Sequence, residues 1–153
     1  MTSINNSAIV ISCYAKFVRQ KNLRKNFILV IKVLVKKGHK IKVISESDIK
    51  YPHIKFIGLL YIWFWFWQSR NLIKWADVIH IHDVFIWYLP FRFIYPNKPV
   101  FTTFHGWEGV YPIPFKNIVL KRIANKLSWG SVAVGKYIEK YYGIKSNKIM
   151  INN

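Results

Sequence analysis

From one end of this chain to the other, short β-branched apolar runs alternate with longer helix-patterned runs. No other feature restricts the fold as much. SAIVISCY (7–14) is a continuous apolar run, the pattern of a strand buried on both faces. RKNFILVIKVLVKK (24–37) is long enough for a helix, with Lys25, Lys32 and Lys36 on one face and Gly38 as its stop. KIKVIS (40–45) and HIKFIGLL (53–60) read as the second and third strands, and YIWFWFWQSRNLIKW (61–75) as a helix. DVIHIHD (77–83) is a fourth strand, followed by a helix over 84–95 that breaks near Pro90. KPVFTTFH (98–105) is a fifth strand. FKNIVLKRIANKLS (115–128) is helical, with Ile118, Ile123 and Leu127 among its apolar positions. SVAVG (131–135), KYIEKYYG (136–143) and KIMIN (148–152) complete the series as strand, helix and seventh strand. This order predicts an α/β fold: a parallel sheet of about seven strands in the middle of a three-layer sandwich, with helices on both faces.

Such a sheet needs a large core, and 52% hydrophobic residues in 153 supply one, which excludes a globally disordered chain. The single cysteine, Cys13, excludes an internal disulfide and suits a reducing compartment; inside an apolar strand it reads as an inert core thiol. MTSINNS lacks the basic start of a secretory signal, and AIVIS is too short for its apolar region. The longest apolar run, IGLLYIWFWFW (57–67), has 11 residues where a spanning helix needs roughly 20, so no transmembrane segment is expected. The outlier is charge. Twenty-four Lys plus Arg against 6 Asp plus Glu give +18, a surface that attracts polyanions such as nucleic acid, anionic lipid or phosphorylated substrates.

In parallel α/β sheets, ligands bind outside the carboxyl ends of the strands. The chain places His105 at one such end and His82 with Asp83 at another. Gly106 lets the backbone turn sharply after His105 and approach a ligand. His80 and His82 alternate along one strand and face the same side, with His80 deeper as a core histidine. No third ligand has metal-binding spacing, so no metal site is expected. Glu108, just beyond His105, either contacts a hydroxyl or caps a loop. His39 belongs to a helix-to-strand turn at the opposite end of the sheet and reads as structural. At helical spacing Trp63, Trp67, Arg70 and Lys74 share one face, and Ile62, Phe66 and Ile73 another. The second face suits burial against the sheet. The first has the indole-plus-cation composition of an interfacial membrane helix, or meets a partner surface.

Five motifs occur in register: LVKKGHKIKVIS (34–45), WADVIHIHD (75–83), FTTFHGWE (101–108), SVAVGKYIEKYYGI (131–144) and KIMINN (148–153). Together they resemble the amino-terminal half of glycosyltransferase family 4, the group 1 glycosyltransferases. The resemblance implies a GT-B architecture of two Rossmann-like domains. This chain, 1–153, would be the amino-terminal acceptor-side domain, truncated before the carboxy-terminal domain that binds the nucleotide sugar. It implies that His105 lies beside the transferred sugar as the catalytic histidine, with Gly106, Trp107, Glu108, His82 and Asp83 binding substrate. The implied reaction is transfer from a nucleotide sugar to a lipid-linked or polysaccharide acceptor, with no metal or other cofactor. This chain alone would be inactive.

Two departures from the family pattern stand out. The loop after the first strand, AKFVRQKNLRKN (15–26), lacks the glycine pair that approaches donor phosphates, and Gly135 stands where a serine is common. The expected location is cytoplasmic, peripheral at the inner face of the membrane, with an anionic membrane surface and a separate carboxy-terminal half as partners, and no nucleic acid. The alternative is a non-enzymatic basic module that binds polyanions such as nucleic acid or anionic lipid. Clustering of the tryptophans with apolar residues, rather than alternation with cations on a strand, favours the first reading.

Overall fold

The structure, a computed structural model, describes residues 7–12, 31–50, 52, 55–105 and 112–144. Five strands form one parallel α/β sheet with flanking helices: β1 (Ser7–Ser12), β2 (Lys40–Ser45), β3 (Val78–His82), β4 (Val100–Phe104) and β5 (Gly130–Ala133). Their order is β2-β1-β3-β4-β5. The described sheet thus has five strands rather than about seven; the expected strand 148–152 lies outside the described residues. So do Cys13, the loop 15–26 and residues 106–111. The chain divides into two compact units, Met1–Ile79 and His80–Asn153.

In the first unit, β1 buries Ile9, Val10 and Ile11 and pairs with β2 in register from Ser7↔Lys40 to Ser12↔Ser45. Asp77 fixes the start of β1: its Oδ2 accepts from both the Ser7 amide and Ser7 Oγ at 2.8 Å. β2 lies at the sheet edge, with Lys40 and Lys42 exposed and Ile44 buried. The preceding helix α1, described over 31–36, stops as expected at Gly38. The Gly38 amide donates to Val35 O and the His39 amide to Leu34 O, the paired bonds of a Schellman motif. Gly38 has φ +87°, which glycine adopts without a Cβ clash. His39 is therefore part of this helix terminus, in keeping with a structural role.

The reading of 53–60 as a strand is wrong. Helix α2 runs Lys55–Gln68, and α3 follows as Arg70–Trp75 after a break at Ser69, so the expected helix 61–75 begins earlier and is divided. The cause is composition. KFIGLLYIWFWFW is apolar on every side, and neither a period of 2 nor one of 3.6 emerges from such a run. Burial resolves it: Gly58, Ile62, Phe66, Ile73 and Ala76 form one inward stripe at spacings of four, four, seven and three. Phe56, Ile57, Leu60, Tyr61, Phe64 and Trp67 of α2 are exposed, while Leu59, Trp63 and Trp65 are half-buried. Among the residues expected to face a membrane, Trp67, Arg70 and Lys74 are exposed, but Trp63 is half-buried.

In the second unit β3 leads into α4 (Phe85–Ile94), β4 into α5 (Phe115–Leu127), and β5 into α6 (Lys136–Tyr142). The expected break at Pro90 does not occur; α4 continues through it to Ile94. Pro90 cannot donate an intrahelical bond, a cost of about 3 kcal/mol, but α4 buries Phe85, Trp87, Tyr88 and Phe91, each a gain of about 1.5–3 kcal/mol. β4 pairs with β5 from Phe101↔Gly130 to Phe104↔Ala133. Of the apolar positions of α5, Ile118 and Leu127 are half-buried. The helix buries Lys121 and Ala124 and leaves Ile123 exposed. Two arginines act as internal clamps. Arg92 Nε donates to Leu127 O at 2.7 Å and its Nη1 to Pro96 O at 2.5 Å; Arg122 Nε donates to Tyr142 O at 2.7 Å.

Candidate functional site

The carboxyl ends of β3 and β4 bring the titratable residues together. Side chains two apart on a strand share a face, so His80 and His82 align on β3, and Thr103 and His105 align at the end of β4. The pairing of the two strands matches these positions. His80 Nε2 and Thr103 Oγ1 are hydrogen-bonded at 2.8 Å, and His82 Nδ1 and His105 Nε2 at 3.0 Å. The imidazoles form a ladder: His80 and His82 centroids lie 4.5 Å apart at 37°, and His82 and His105 lie 5.3 Å apart at 18°.

Burial holds all three rings toward the neutral form, because an imidazolium would lose its hydration. It lowers His80 to about 4, with a smaller contribution from His105, and lowers His82 to about 3, with smaller contributions from His80 and His105. His105 is also lowered, first by burial; Asp83 acts in the opposite direction and Lys121 reinforces the lowering. At neutral pH the ladder is therefore uncharged. A neutral imidazole donates through one nitrogen and accepts through the other, and the His82–His105 bond uses one of each.

Asp83 sits just past β3 with φ 58°, the only non-glycine at positive φ among the described residues. Asp tolerates that region through local hydrogen bonding. The Asp83 amide donates to Thr103 O at 3.0 Å, and the Val84 amide to His82 O at 2.8 Å. Both oxygens of the Asp83 carboxylate accept from the His105 amide at 3.2 Å. Lys121 Nζ completes the arrangement with an ion pair to Asp83 Oδ1 at 3.0 Å. The ammonium also lies 4.9 Å from the Tyr142 ring centroid and 5.9 Å from that of Phe104. Asp83 therefore holds the backbone at which His105 leaves the sheet. Lys121, absent from the expected site, balances its charge. Lys121 escaped notice because a lysine in a mixed helix reads as a solvated position. Its only sequence signal is its place in line with Ala124 and Ser128, which the fold buries.

Of the expected substrate residues, His82 is buried against His105, and Asp83 is partly exposed beside it. Gly106, Trp107 and Glu108 lie outside the described residues. A cavity of about 60 Å³ is lined by Leu89, Phe104, Leu120 and Ile123 together with Asp83 and Lys121. Gly135, at the foot of α6, has φ +93°, a conformation in which the serine of the family pattern would be strained. Among the described residues no group of three or more His, Cys, Asp or Glu is arranged to hold a metal.

A parallel α/β sheet with helices on its flanks and polar side chains at its strand ends defines a Rossmann-like protein. Within that class, the sequence model of Glycosyltransferase Family 4 matches residues 28–151, and the chain belongs to this family. No curated protein gives a significant match to it.

Proposed function

We propose that this chain is the acceptor-side half of a transferase that moves a sugar from a nucleotide sugar to a lipid-linked or polysaccharide acceptor at the membrane surface. In that reaction the acceptor oxygen bonds to the anomeric carbon as the bond from that carbon to the diphosphate oxygen breaks. The diphosphate leaves with the electron pair, and its oxygen takes up the proton that the acceptor hydroxyl loses. Positive charge develops on the sugar. An imidazolium beside it would oppose that charge, whereas a neutral imidazole can hydrogen-bond a sugar hydroxyl without repulsion. The neutral ladder that ends in His105, its backbone tied to Asp83, is the observation that carries the reading. Donor phosphates are stabilised by cationic side chains and helix ends, and no metal is required. The nucleotide sugar itself is held by the carboxy-terminal domain of the GT-B architecture.

The test joins this chain to a family carboxy-terminal half and measures sugar transfer. His105→Ala is expected to lower kcat by 10²-fold or more while circular dichroism stays unchanged. Unchanged transfer in that variant removes His105 from the mechanism. The second reading, a non-enzymatic binder of polyanions such as nucleic acid, rests on the +18 charge. Against it, Arg92 and Arg122 are engaged with main-chain carbonyls and Lys121 with Asp83, so part of the charge serves the fold.

A further inference from the structure

Beyond the transfer reaction, we propose that the groove between α4 and α5 is a docking site for an amphipathic helix with acidic flanks, presented by a partner protein. Both helices belong to the second unit. At about 100° per residue, Ile86, Leu89 and Phe93 fall within about 60° of one another on α4, and Leu120, Ile123 and Leu127 do the same on α5. Two apolar ridges result, and the cavity of about 60 Å³ lies between them. Buried Phe104 and Ala124 complete its lining, and the short side chain of Ala124 gives it depth. The recess is fixed at both ends. The Asp83–Lys121 ion pair lines one end, and at the other the bond from Arg92 Nε to Leu127 O ties the two helices together. Phe93, Leu120 and Ile123 are 66%, 42% and 40% exposed, so apolar surface stands bare along the groove. A preformed recess between two ridges accepts a third ridge, whose side chains repeat at i, i+3 or i+4, and i+7.

Charge identifies the flanks of the occupant. Between Asp83 and Glu139 the sequence has seven Lys and Arg and one acid, Glu108. On α5, Lys116 precedes Leu120 by one turn and Lys126 follows Ile123, and both are exposed. An incoming helix with Asp or Glu beside its apolar ridge meets opposite charge there, which speeds encounter and fixes its orientation. A second copy of the chain brings no such helix. Glu139 is the only acid on the described helices, and each chain carries +18. A bilayer is also a poorer match. No described helix is long and apolar enough to cross one. A lipid surface receives protruding side chains rather than filling a recess whose end holds an ion pair.

The experiment titrates the full chain with two labelled synthetic helices and reads fluorescence anisotropy. Both carry leucines at i, i+3 and i+7; one is flanked by glutamates and the other by lysines. The glutamate peptide is expected to bind at least tenfold more tightly than the lysine peptide at low salt. Leu120→Glu with Ile123→Glu is expected to weaken it at least tenfold with an unchanged circular dichroism spectrum. Should that pair disturb folding, Lys116→Glu with Lys126→Glu, at exposed positions, is expected to cut the preference for the glutamate peptide at least threefold. Phe56→Glu, at a bare residue of α2, is expected to change nothing. Absence of binding, equal affinity for the two peptides, or affinity indifferent to both α5 pairs would each overturn the proposal. So would displacement of the peptide by anionic vesicles, a dimer of the free chain that the Leu120 and Ile123 pair dissolves, or loss of peptide binding once the carboxy-terminal half is joined. The assay contains no sugar donor, so its outcome is independent of the transfer reading.

Discussion

Lys121→Met tests whether the strand-end turn depends on a compensated charge. Methionine keeps most of the apolar stem against Phe104 and Tyr142 but removes the ammonium 3.0 Å from Asp83 Oδ1. The two side chains are 11% and 23% exposed, so water replaces little of what is lost. At an effective dielectric of 20 and 3.0 Å the gross attraction is about 5.5 kcal/mol. Removing one partner of a fully buried pair typically costs about 3–5 kcal/mol. Asp83 keeps the His105 amide and a quarter of its surface in water, which reduces the expected loss to about 2 kcal/mol. Urea unfolding followed by circular dichroism measures it. Asp83→Asn retains the shape at φ 58° and is expected to cost a similar amount. The double variant should cost less than the sum of the two singles by about 1–2 kcal/mol, because the second change removes a charge already stranded. The His105 amide resonance should shift in each variant. A Lys121→Met chain within about 0.5 kcal/mol of the parent, or strictly additive singles, would refute the assignment of Lys121 as the counter-ion.

Acid should destabilise the fold before its carboxylates are protonated. His80 and His82 have folded values of about 4 and about 3, below the ordinary 6.5, so between those limits the unfolded chain binds protons that the folded chain refuses. Stability is therefore full above pH 6.5 and falls as pH drops toward about 3, by about 2 kcal/mol per imidazole at pH 5. His80→Gln should remove about 2 kcal/mol of the stability difference between pH 7.5 and 5.0 in urea unfolding, and an unchanged difference contradicts the buried neutral ladder. Tyr88 is fully buried, its Oη has no hydrogen-bond partner among the described residues, and burial pushes its phenol upward. Tyr88→Phe should therefore be neutral or stabilising by up to about 1 kcal/mol, and a loss beyond 1 kcal/mol in thermal unfolding would reveal a bond to that hydroxyl.

The parts of the fold legible in the sequence are those with a single dominant pattern. VIHIH and VFTTF are short, β-branched and bounded by polar turns, and both are strands. The alternation of His80 and His82 foretold their common face; Thr103 and His105 have the same spacing on β4, which is why the ladder closes. Gly38 announced the end of α1. Elsewhere two forces competed and only packing decided. In α2 an all-apolar run removed the contrast that periodicity requires, and Ile54 and Ile57 tilted the reading toward strand. At Pro90 the local penalty was visible but the burial of Tyr88 and Phe91 was not. In α5 the apolar positions were visible, but the burial of Lys121 against the charge of Asp83 was not. A side chain's sign can be read from one chain position; its counter-ion, here 38 residues away, cannot.

The lysines of β2 bear on a different hazard. An outermost strand offers its amides and carbonyls to any passing chain, and a molecule this rich in bare aromatics would otherwise be drawn into cross-β stacking. Lys40 and Lys42 place two positive charges on the first half of that rim, so an identical neighbour must bring like charges into contact before it can add. Acetylating those two amines would lift the barrier without touching the interior, and fibril growth under otherwise native conditions would be the sign that it had gone.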